Sequence, residues 1–267
     1  MVYSRTRDLI DLNCPEKIPM LLRFLADVME EKSRTQAFSR SFNYIKIMLN
    51  SDDPYRKKKK ELNRAARTVI SEIRRYLTHK SWDLREAFRV SAAANIIDTS
   101  VLGYESRNLV EAVWERPVLE MYIDLPKHIY LVLDNAGEAL VDLVLAEALS
   151  RRGHDVTLVV RKESYEIDVL KDDVEAEGIE IIETPGNAPP VLHIDGFLMA
   201  KGIANAEACM ECEKTRSIHL LRAKCDVLAE MFEVPRNAPI IISGDGIKTI
   251  YQKFLRKHSS KHENSTV

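Results

Sequence analysis

The stretch IYLVLDNAGE, residues 129–138, predicts the fold of the chain more directly than any other segment. An apolar run ends at Asp134 and Asn135, and apolar residues at helical spacing follow it. This order predicts a buried strand, then a helix, with an acid and an amide at the carboxyl end of the strand. Open α/β sheets bind ligands at that end, and clustered side-chain oxygens there favour a hard cation. Asp134 and Asn135 are therefore candidate ligands of a metal site that handles phosphate.

The same strand-then-helix pattern continues through the second half of the chain, and the first half is different. Short apolar runs alternate with helical patterns after residue 126, at residues 129–133, 156–160, 179–182, 196–200, 217–223 and 240–242. Such alternation is typical of a mostly parallel sheet covered on both faces. Helical spacing dominates before it, in residues 18–31, 42–49, 65–77 and 84–97. We predict an α/β protein in which an all-helical N-terminal domain (residues 1–122) precedes a three-layer α/β/α domain with a mostly parallel sheet (residues 123–267).

The composition excludes several classes of protein. The 267 residues include 39 Lys and Arg against 41 Asp and Glu, and the net charge of −2 predicts no global attraction to nucleic acid or anionic membranes. No run approaches the ~20 apolar residues of a membrane span, and the N-terminus lacks the apolar core of a signal peptide. Four scattered cysteines are too few for a disulfide scaffold. We expect a soluble cytoplasmic protein with neither nucleic acid nor membrane as a partner, and the oligomeric state stays open.

Further polar side chains follow the other predicted strands. Asp168 comes shortly after the second strand, Lys201 follows the fourth and Lys224 follows the fifth. Carboxyl ends of parallel strands lie side by side, so we expect these residues to converge on Asp134 and Asn135. Two aspartates and one asparagine suit a divalent metal with open positions for water and a phosphate oxygen. The lysines would offset the remaining charge of the phosphate.

Several of these residues also have a purely structural explanation. Asn135 and Glu138 fit a capping box at the start of the predicted helix. Asp168 fits a cap of the helix that it precedes, and Asp142 faces either the site or the solvent. Asp134 is harder to explain in this way, because an acid at the end of a buried strand needs a partner.

Other motifs indicate less. The basic run at residues 56–60 favours a solvated helix face over nucleic-acid binding. Cys209 and Cys212 form a lone CxxC, and since a zinc site needs about four ligands, ordinary thiols are the favoured interpretation. No P-loop, no GxSxG and no GxGxxG follows a predicted strand. The sequence thus argues against a P-loop kinase, a serine hydrolase and a standard dinucleotide enzyme.

Four segments together match a known family. They are AAANIID at 92–98, LDNAGE at 133–138 with Asp142, KGIANAE at 201–207 and LRAKC at 221–225. With this combination the chain resembles the metal-dependent damage-control phosphatases over nearly its whole length. The resemblance implies an α/β/α catalytic domain with a helical N-terminal part. It also implies hydrolysis of phosphate monoesters of small metabolites, such as sugar phosphates or damaged phosphopantetheine-like compounds.

The resemblance implies roles for individual residues as well. The catalytic, metal-binding residues map to Asp134, Asn135 and Asp168, and the divalent metal is Mn, Ni, Co or Mg. The loop after the KG dipeptide, which binds the substrate phosphate in the family, maps to Ile203, Ala204, Asn205, Ala206 and Glu207. Lys201 of that dipeptide and the basic-strand residue Lys224 are the substrate-binding lysines that the resemblance implies. Ile203 and Ala204 depart from the usual KGQGN of the family, so the substrate preference of this chain is expected to differ.

The sequence leaves more than one mechanism and more than one class of function open. The nucleophile is either an activated water or Asp134. A carboxyl methyltransferase is disfavoured, because the sequence offers no glycine-rich loop for a methyl donor. A non-catalytic metal- or metabolite-binding protein, in which the altered KG segment has lost turnover, is the other alternative.

Overall fold

The computed structural model describes residues 1–30, 34–96, 108–186, 188–212 and 216–263. Its helices are α1 (Val2–Asp11), α2 (Ile18–Val28), α3 (Arg34–Leu49), α4 (Arg56–His79), α5 (Leu84–Ala94), α6 (Leu109–Ala112), α7 (Glu138–Arg151), α8 (Ile203–Glu211), α9 (Asp226–Phe232) and α10 (Gly244–Glu263). Its strands are β1 (Leu119–Glu120), β2 (His128–Val132), β3 (Asp155–Arg161), β4 (Glu180–Thr184), β5 (Leu198–Lys201), β6 (Ser217–Arg222) and β7 (Pro239–Ser243).

The strands form one seven-stranded sheet in the order β1-β7-β6-β5-β2-β3-β4. Every neighbouring pair is parallel except β6 and β7, which are antiparallel. The predicted mostly parallel sheet is therefore confirmed, and each predicted apolar run lies in or beside a strand. The sequence missed β1, because a strand of two residues is too short to show the alternation that marks a strand.

Helices cover both faces of the sheet. Successive side chains of a strand point to opposite faces, so Ile129 and Leu131 of β2 pack with α4, α5 and α7, whereas Val132 packs on the other face. On that second face, α8, α9 and α10 pack against β6 and β7 around Leu221 and Ile240. The predicted three-layer α/β/α arrangement is confirmed.

The N-terminal part is helical, and its helices share a core with the sheet. Leu21 of α2, Ile73 of α4 and Phe88 of α5 belong to the same buried cluster as Leu131 of β2. The predicted boundary between residues 122 and 123 stays a prediction, and β1 lies on its N-terminal side. Residues 97 and 98 of the AAANIID segment fall outside the described residues. No helix in the described part of the chain is long and apolar enough to cross a membrane.

Candidate active site

The two loops that carry the predicted metal ligands lie side by side. Asp134 and Asn135 directly follow the end of β2, and Asp168 lies in the segment after β3. An isolated antiparallel bridge pairs Asn135 with Asp168, and the amide of Val169 donates to the carbonyl oxygen of Asp134 at 2.9 Å. Asn135 is 7% exposed. The structure therefore brings the three candidate ligands together at the carboxyl edge of the sheet, as the strand order requires.

The capping box proposed for Asn135 and Glu138 is not formed. The N-cap of α7 is Gly137, at φ 85°, and no side-chain hydrogen bond caps the helix there. Its amide instead donates to Oδ1 of Asn63 in α4, at 2.7 Å. Glu138 is fully buried and accepts a hydrogen bond from Nδ2 of Asn95 at 2.7 Å. The side chains of Asn135 and Glu138 therefore hydrogen-bond Asp134 and Asn95 instead.

Asn95, at the end of α5, contacts the candidate site, and the sequence did not single it out as a site residue. It is fully buried, and its Nδ2 also donates to Oδ2 of Asp134 at 3.1 Å. Its Oδ1 is buried and has no hydrogen-bond partner among the described residues. A buried amide oxygen without a partner is costly, so this atom marks a place for a further polar group. The only sequence signal was its place in the AAANIID segment.

Gly202, after β5, passes directly against Asp134. Its φ of 80° lies in the left-handed region, and a Cβ built on it would overlap the Asp134 carboxylate. Only glycine permits this approach of the backbone to the acid. The KG dipeptide and the DNAGE segment are therefore parts of one site, which the order of β5 beside β2 in the sheet makes possible.

Asp168 does not cap a helix, as the structural alternative had it. The next regular element is a single 3-10 turn, whose N-cap is Leu170. Oδ2 of Asp168 instead accepts a hydrogen bond from Nε of Arg161 at 2.5 Å, and the side chain of Asp168 is 15% exposed. The guanidinium of Arg161, itself over the ring of Tyr165, compensates the charge of the carboxylate and fixes its orientation.

The donor chemistry of this edge fits a hard divalent cation. Two carboxylates and one amide, from Asp134, Asp168 and Asn135, are oxygen ligands of the kind that Mg²⁺ and Mn²⁺ take. Within the described ranges, no group of three or more His, Cys, Asp and Glu side chains is placed to hold a metal. The fit consequently depends on the amide of Asn135 as well as on the two acids.

Lys201 and Asp142 form a fully buried ion pair beside this edge. Nζ of Lys201 lies 3.2 Å from Oδ1 of Asp142, and it also donates to the carbonyl and hydroxyl oxygens of Ser91. Ser91 Oγ in turn donates to Asp142 at 2.5 Å. Burial raises the pKa of Asp142, and the nearby ammonium and hydroxyl oppose part of that rise. The pair ties β5 to α5 and α7, whereas the predicted contact of Lys201 with phosphate stays a prediction.

Residues 203–207 form the first turns of α8 rather than a loop. The side chain of Asn205 is buried and turned inward: its Nδ2 donates to the carbonyl oxygen of Lys201 at 2.8 Å, and its Oδ1 accepts from Val191 at 3.5 Å. Ala206 is fully buried as well. Ile203 is half-buried, Glu207 is half-buried and Ala204 is exposed.

Lys224 lies just beyond β6, two residues after Arg222, and is 1% exposed. Arg222 is fully buried and donates to Glu115 at 2.7 Å and to the carbonyl oxygen of Ala93 at 3.0 Å. Because β6 neighbours β5, Lys224 follows the strand next to the KG segment. Its predicted role on the phosphate stays a prediction.

The basic run at residues 56–60 is the start of α4. Four of its five side chains are exposed, as predicted for a solvated face. The exception is Lys59, which is fully buried between Asp53 at 2.8 Å and Asp173 at 2.5 Å. This lysine holds α4 to the segment after β3.

The CxxC cysteines are ordinary thiols in the structure. Cys209 is buried in α8, and burial raises the pKa of its thiol to about 11, so it is uncharged at neutral pH. Nearby, His219 of β6 is fully buried, with Ser217 Oγ 3.0 Å from its Nε2. Burial lowers the pKa of His219 from 6.5 to about 4.

His219 makes the stability of the fold dependent on pH. Between pH 6.5 and pH 4 the unfolded chain binds a proton that the buried imidazole does not. The contribution of His219 to the free energy of unfolding is therefore fully present above pH 6.5 and decreases as the pH falls. The loss amounts to about 3 kcal/mol at pH 4, since one pKa unit is worth about 1.4 kcal/mol.

We expect His219→Gln to remove this component. In urea denaturation from pH 8 to pH 4, the difference in free energy of unfolding between the original protein and the variant should be constant above pH 6.5 and decrease below it. A difference that stays constant down to pH 4.5 would contradict this prediction, because it would show that His219 is protonated at the same pH in the folded and the unfolded protein.

A parallel sheet whose carboxyl edge collects acids, amides and lysines is the architecture of an α/β enzyme. A family model for the damage-control phosphatase ARMT1-like domain matches residues 15–184. A damage-control phosphatase of Pyrococcus horikoshii is 27% identical over 217 residues, which cover 71% of this chain and 74% of that protein. A damage-control phosphatase of Archaeoglobus fulgidus is 27% identical over 210 residues, covering 68% and 73%. The chain belongs to the damage-control phosphatase family, and its activity class is that of a phosphatase.

A solved structure shows the same fold. The crystal structure of a DUF89 family protein from Pyrococcus horikoshii matches this chain with a TM-score of 0.72 at 23% identity, covering 91% of this chain and 93% of that one. The coverage extends the likeness through the helical N-terminal part as well as the sheet.

Proposed function

We propose that the protein is a divalent-metal-dependent phosphatase that hydrolyses phosphate monoesters of small metabolites, such as sugar phosphates or phosphopantetheine-like compounds. One observation carries the proposal: the bridge between Asn135 and Asp168 places an amide and two acids from different loops at one edge of the sheet. Family membership supplies the reaction class, and this donor set supplies the reason to expect a metal.

Asp134, Asn135 and Asp168 would hold the ion. When bound, a divalent ion polarises a phosphate oxygen and offsets the charge that develops during hydrolysis. The surrounding side chains fix the ligands: Asn95 donates to Oδ2 of Asp134 at 3.1 Å, and Arg161 donates to Oδ2 of Asp168 at 2.5 Å. Such outer partners orient metal ligands and are expected to matter nearly as much as the ligands themselves.

The N-terminus of α8 is the proposed seat of the phosphate. The first N–H groups of a helix lack partners within the helix, and the helix dipole favours an anion there. Ile203 and Ala204 would therefore act through their backbone amides, which the change from Gln–Gly to Ile–Ala leaves in place. Gly202 brings this turn against Asp134, and Lys224, just beyond the neighbouring strand β6, would add positive charge.

A water molecule is the proposed nucleophile. Oδ2 of Asp134 already accepts hydrogen bonds from the amides of Asn95 and Asn135, both at 3.1 Å, which makes that oxygen a poorer nucleophile. Water would form the new P–O bond as the ester P–O bond breaks. The alcohol would leave with a proton from water, and the enzyme would be unchanged at the end of the cycle.

A panel of phosphorylated metabolites tests this function directly. We expect the purified protein to release inorganic phosphate from at least one sugar phosphate or phosphopantetheine-like compound when Mn²⁺, Ni²⁺, Co²⁺ or Mg²⁺ is supplied, and to lose that activity in EDTA. Hydrolysis that is insensitive to EDTA would contradict the proposed requirement for a divalent metal. No hydrolysis with any of the four ions would favour the non-catalytic alternative.

A further inference from the structure

The segment that carries Asp168 has little structure of its own. Between β3 and β4 its only regular element in the described residues is the 3-10 turn Lys171–Asp173. Without a helix or a strand to fix the backbone, contacts with other parts of the chain decide where Asp168 lies. Some come from the loop after β2, through the Asn135–Asp168 bridge and the hydrogen bond from Val169 to Asp134, and the others come from the N-terminal part of the chain.

Two of them hold the first part of the segment. Arg5 of α1 is fully buried and forms an ion pair with Glu166, whose side chain is 9% exposed. The hydroxyl of Ser164 donates to Asp53, which precedes α4, at 3.0 Å. Both contacts are made within four residues of Asp168, so they restrict the backbone on the N-terminal side of the candidate ligand.

α4 holds the other end of the segment. Nζ of Lys59 donates to Oδ2 of Asp173 at 2.5 Å, and the same oxygen accepts the amide of Leu170 at 2.9 Å. One turn further along α4, Nδ2 of Asn63 donates to the carbonyl oxygen of Asp173 at 3.1 Å. The buried ammonium and the amide together fix the turn that follows Asp168.

The amide of Asn63 also reaches the second loop. While its Nδ2 bonds Asp173, its Oδ1 accepts the backbone N–H of Gly137 at 2.7 Å. Gly137 ends the loop that contains Asp134 and Asn135. A single side chain from the helical part of the protein therefore spans the two loops that supply the candidate metal ligands.

We propose that Asn63 is a positioning residue of the metal centre, which sets the separation of the Asp134–Asn135 loop from the Asp168 segment together with the direct backbone bonds between them. This inference rests on the proposed function, because the separation matters only if both loops bind one ion. Outer-shell partners of metal ligands typically change metal affinity by about 10–100-fold when they are removed. Asn63 acts one step further out, through the backbone, so the lower end of that range is expected.

The affinity for Mn²⁺, measured by titration calorimetry on the full-length protein, tests the inference. We expect Asn63→Ala to raise the Kd about tenfold. Arg64→Ala, the exposed neighbour in α4, is the matched control and should leave the Kd unchanged. Asn63→Asp keeps an acceptor for Gly137 but loses the donor to Asp173, and it should give an intermediate Kd. Equal Kd values for the original protein and Asn63→Ala would overturn the proposal.

Hydrogen exchange at the Gly137 amide separates this inference from the proposed function. In the metal-free protein, Asn63→Ala should speed exchange of that amide, whereas Arg64→Ala should not. If the original protein binds no Mn²⁺, the proposed function fails, and this measurement still decides whether Asn63 holds the loop. Unchanged exchange at Gly137 in Asn63→Ala would overturn the positioning role whatever the metal result.

Discussion

Asp134→Asn should abolish metal-dependent phosphatase activity, with kcat/KM falling by at least about a thousandfold. The loss follows from removing one negative ligand of the ion, which contributes several kcal/mol of charge stabilisation in the transition state. The fold should survive, because the new carbonyl oxygen can accept the two hydrogen bonds that Oδ2 of Asp134 now accepts from Asn95 and Asn135. The close approach of the Gly202 backbone stays possible, since aspartate and asparagine have the same shape.

Phosphate release with saturating Mn²⁺, measured beside thermal unfolding, checks this prediction. Asp155→Asn is the matched control: Asp155 is exposed at the start of β3 and pairs only loosely with Lys127, so its activity should equal that of the original protein. If Asp134→Asn kept full metal-stimulated activity, the carboxyl edge of β2 would not be the metal site.

Lys201→Met should lower the free energy of unfolding by about 3–5 kcal/mol, because it leaves the carboxylate of Asp142 buried without its cation. Both side chains are 0% exposed. The double variant Lys201→Met with Asp142→Leu removes both charges and should recover much of the loss, since an apolar pair in place of a buried ion pair is often neutral. Lys127→Met, which breaks an exposed pair with Asp155, should cost less than about 1 kcal/mol.

Urea denaturation measures these stabilities, and kinetics on the double variant then isolate the role of Lys201 toward substrate. A stable double variant with a raised KM would support a contact of Lys201 with phosphate. Unchanged kinetics would make the lysine purely structural. A loss below about 1 kcal/mol in Lys201→Met would contradict the ion pair as a source of stability.

Much of the fold could be predicted because its signals are local. The apolar run before Asp134 is a strand, and helical spacing marks α2 to α5 and α7, because burial imposes a period on each element by itself. The antiparallel direction of β7 and the short strand β1 could not be predicted in this way. Both depend on pairing between residues far apart in the chain, and neither leaves a periodic signal.

Some residues of the candidate site could likewise be predicted from local signals, and others could not. Asp134, Asn135 and Asp168 could be assembled from the rule that parallel strands end at one edge. Asn95 and Asn63 could not, because each is a single amide on a helix, and its importance comes only from what stands opposite it in space. The sequence left the environment of Asp142 open for the same reason, because its burial depends on its partner Lys201 on β5.

The pairing of β1 with β7 has a consequence for how the protein is made. β1 precedes the other strands of the described sheet in the chain, and in that sheet it pairs with β7, the last of them in sequence order. During synthesis on the ribosome, β1 therefore has no partner strand until β7 has emerged. Long-range closures of this kind are slow and leave intermediates prone to association. A nascent chain that stalls before β7 would hence keep an unpaired β1 and be prone to association.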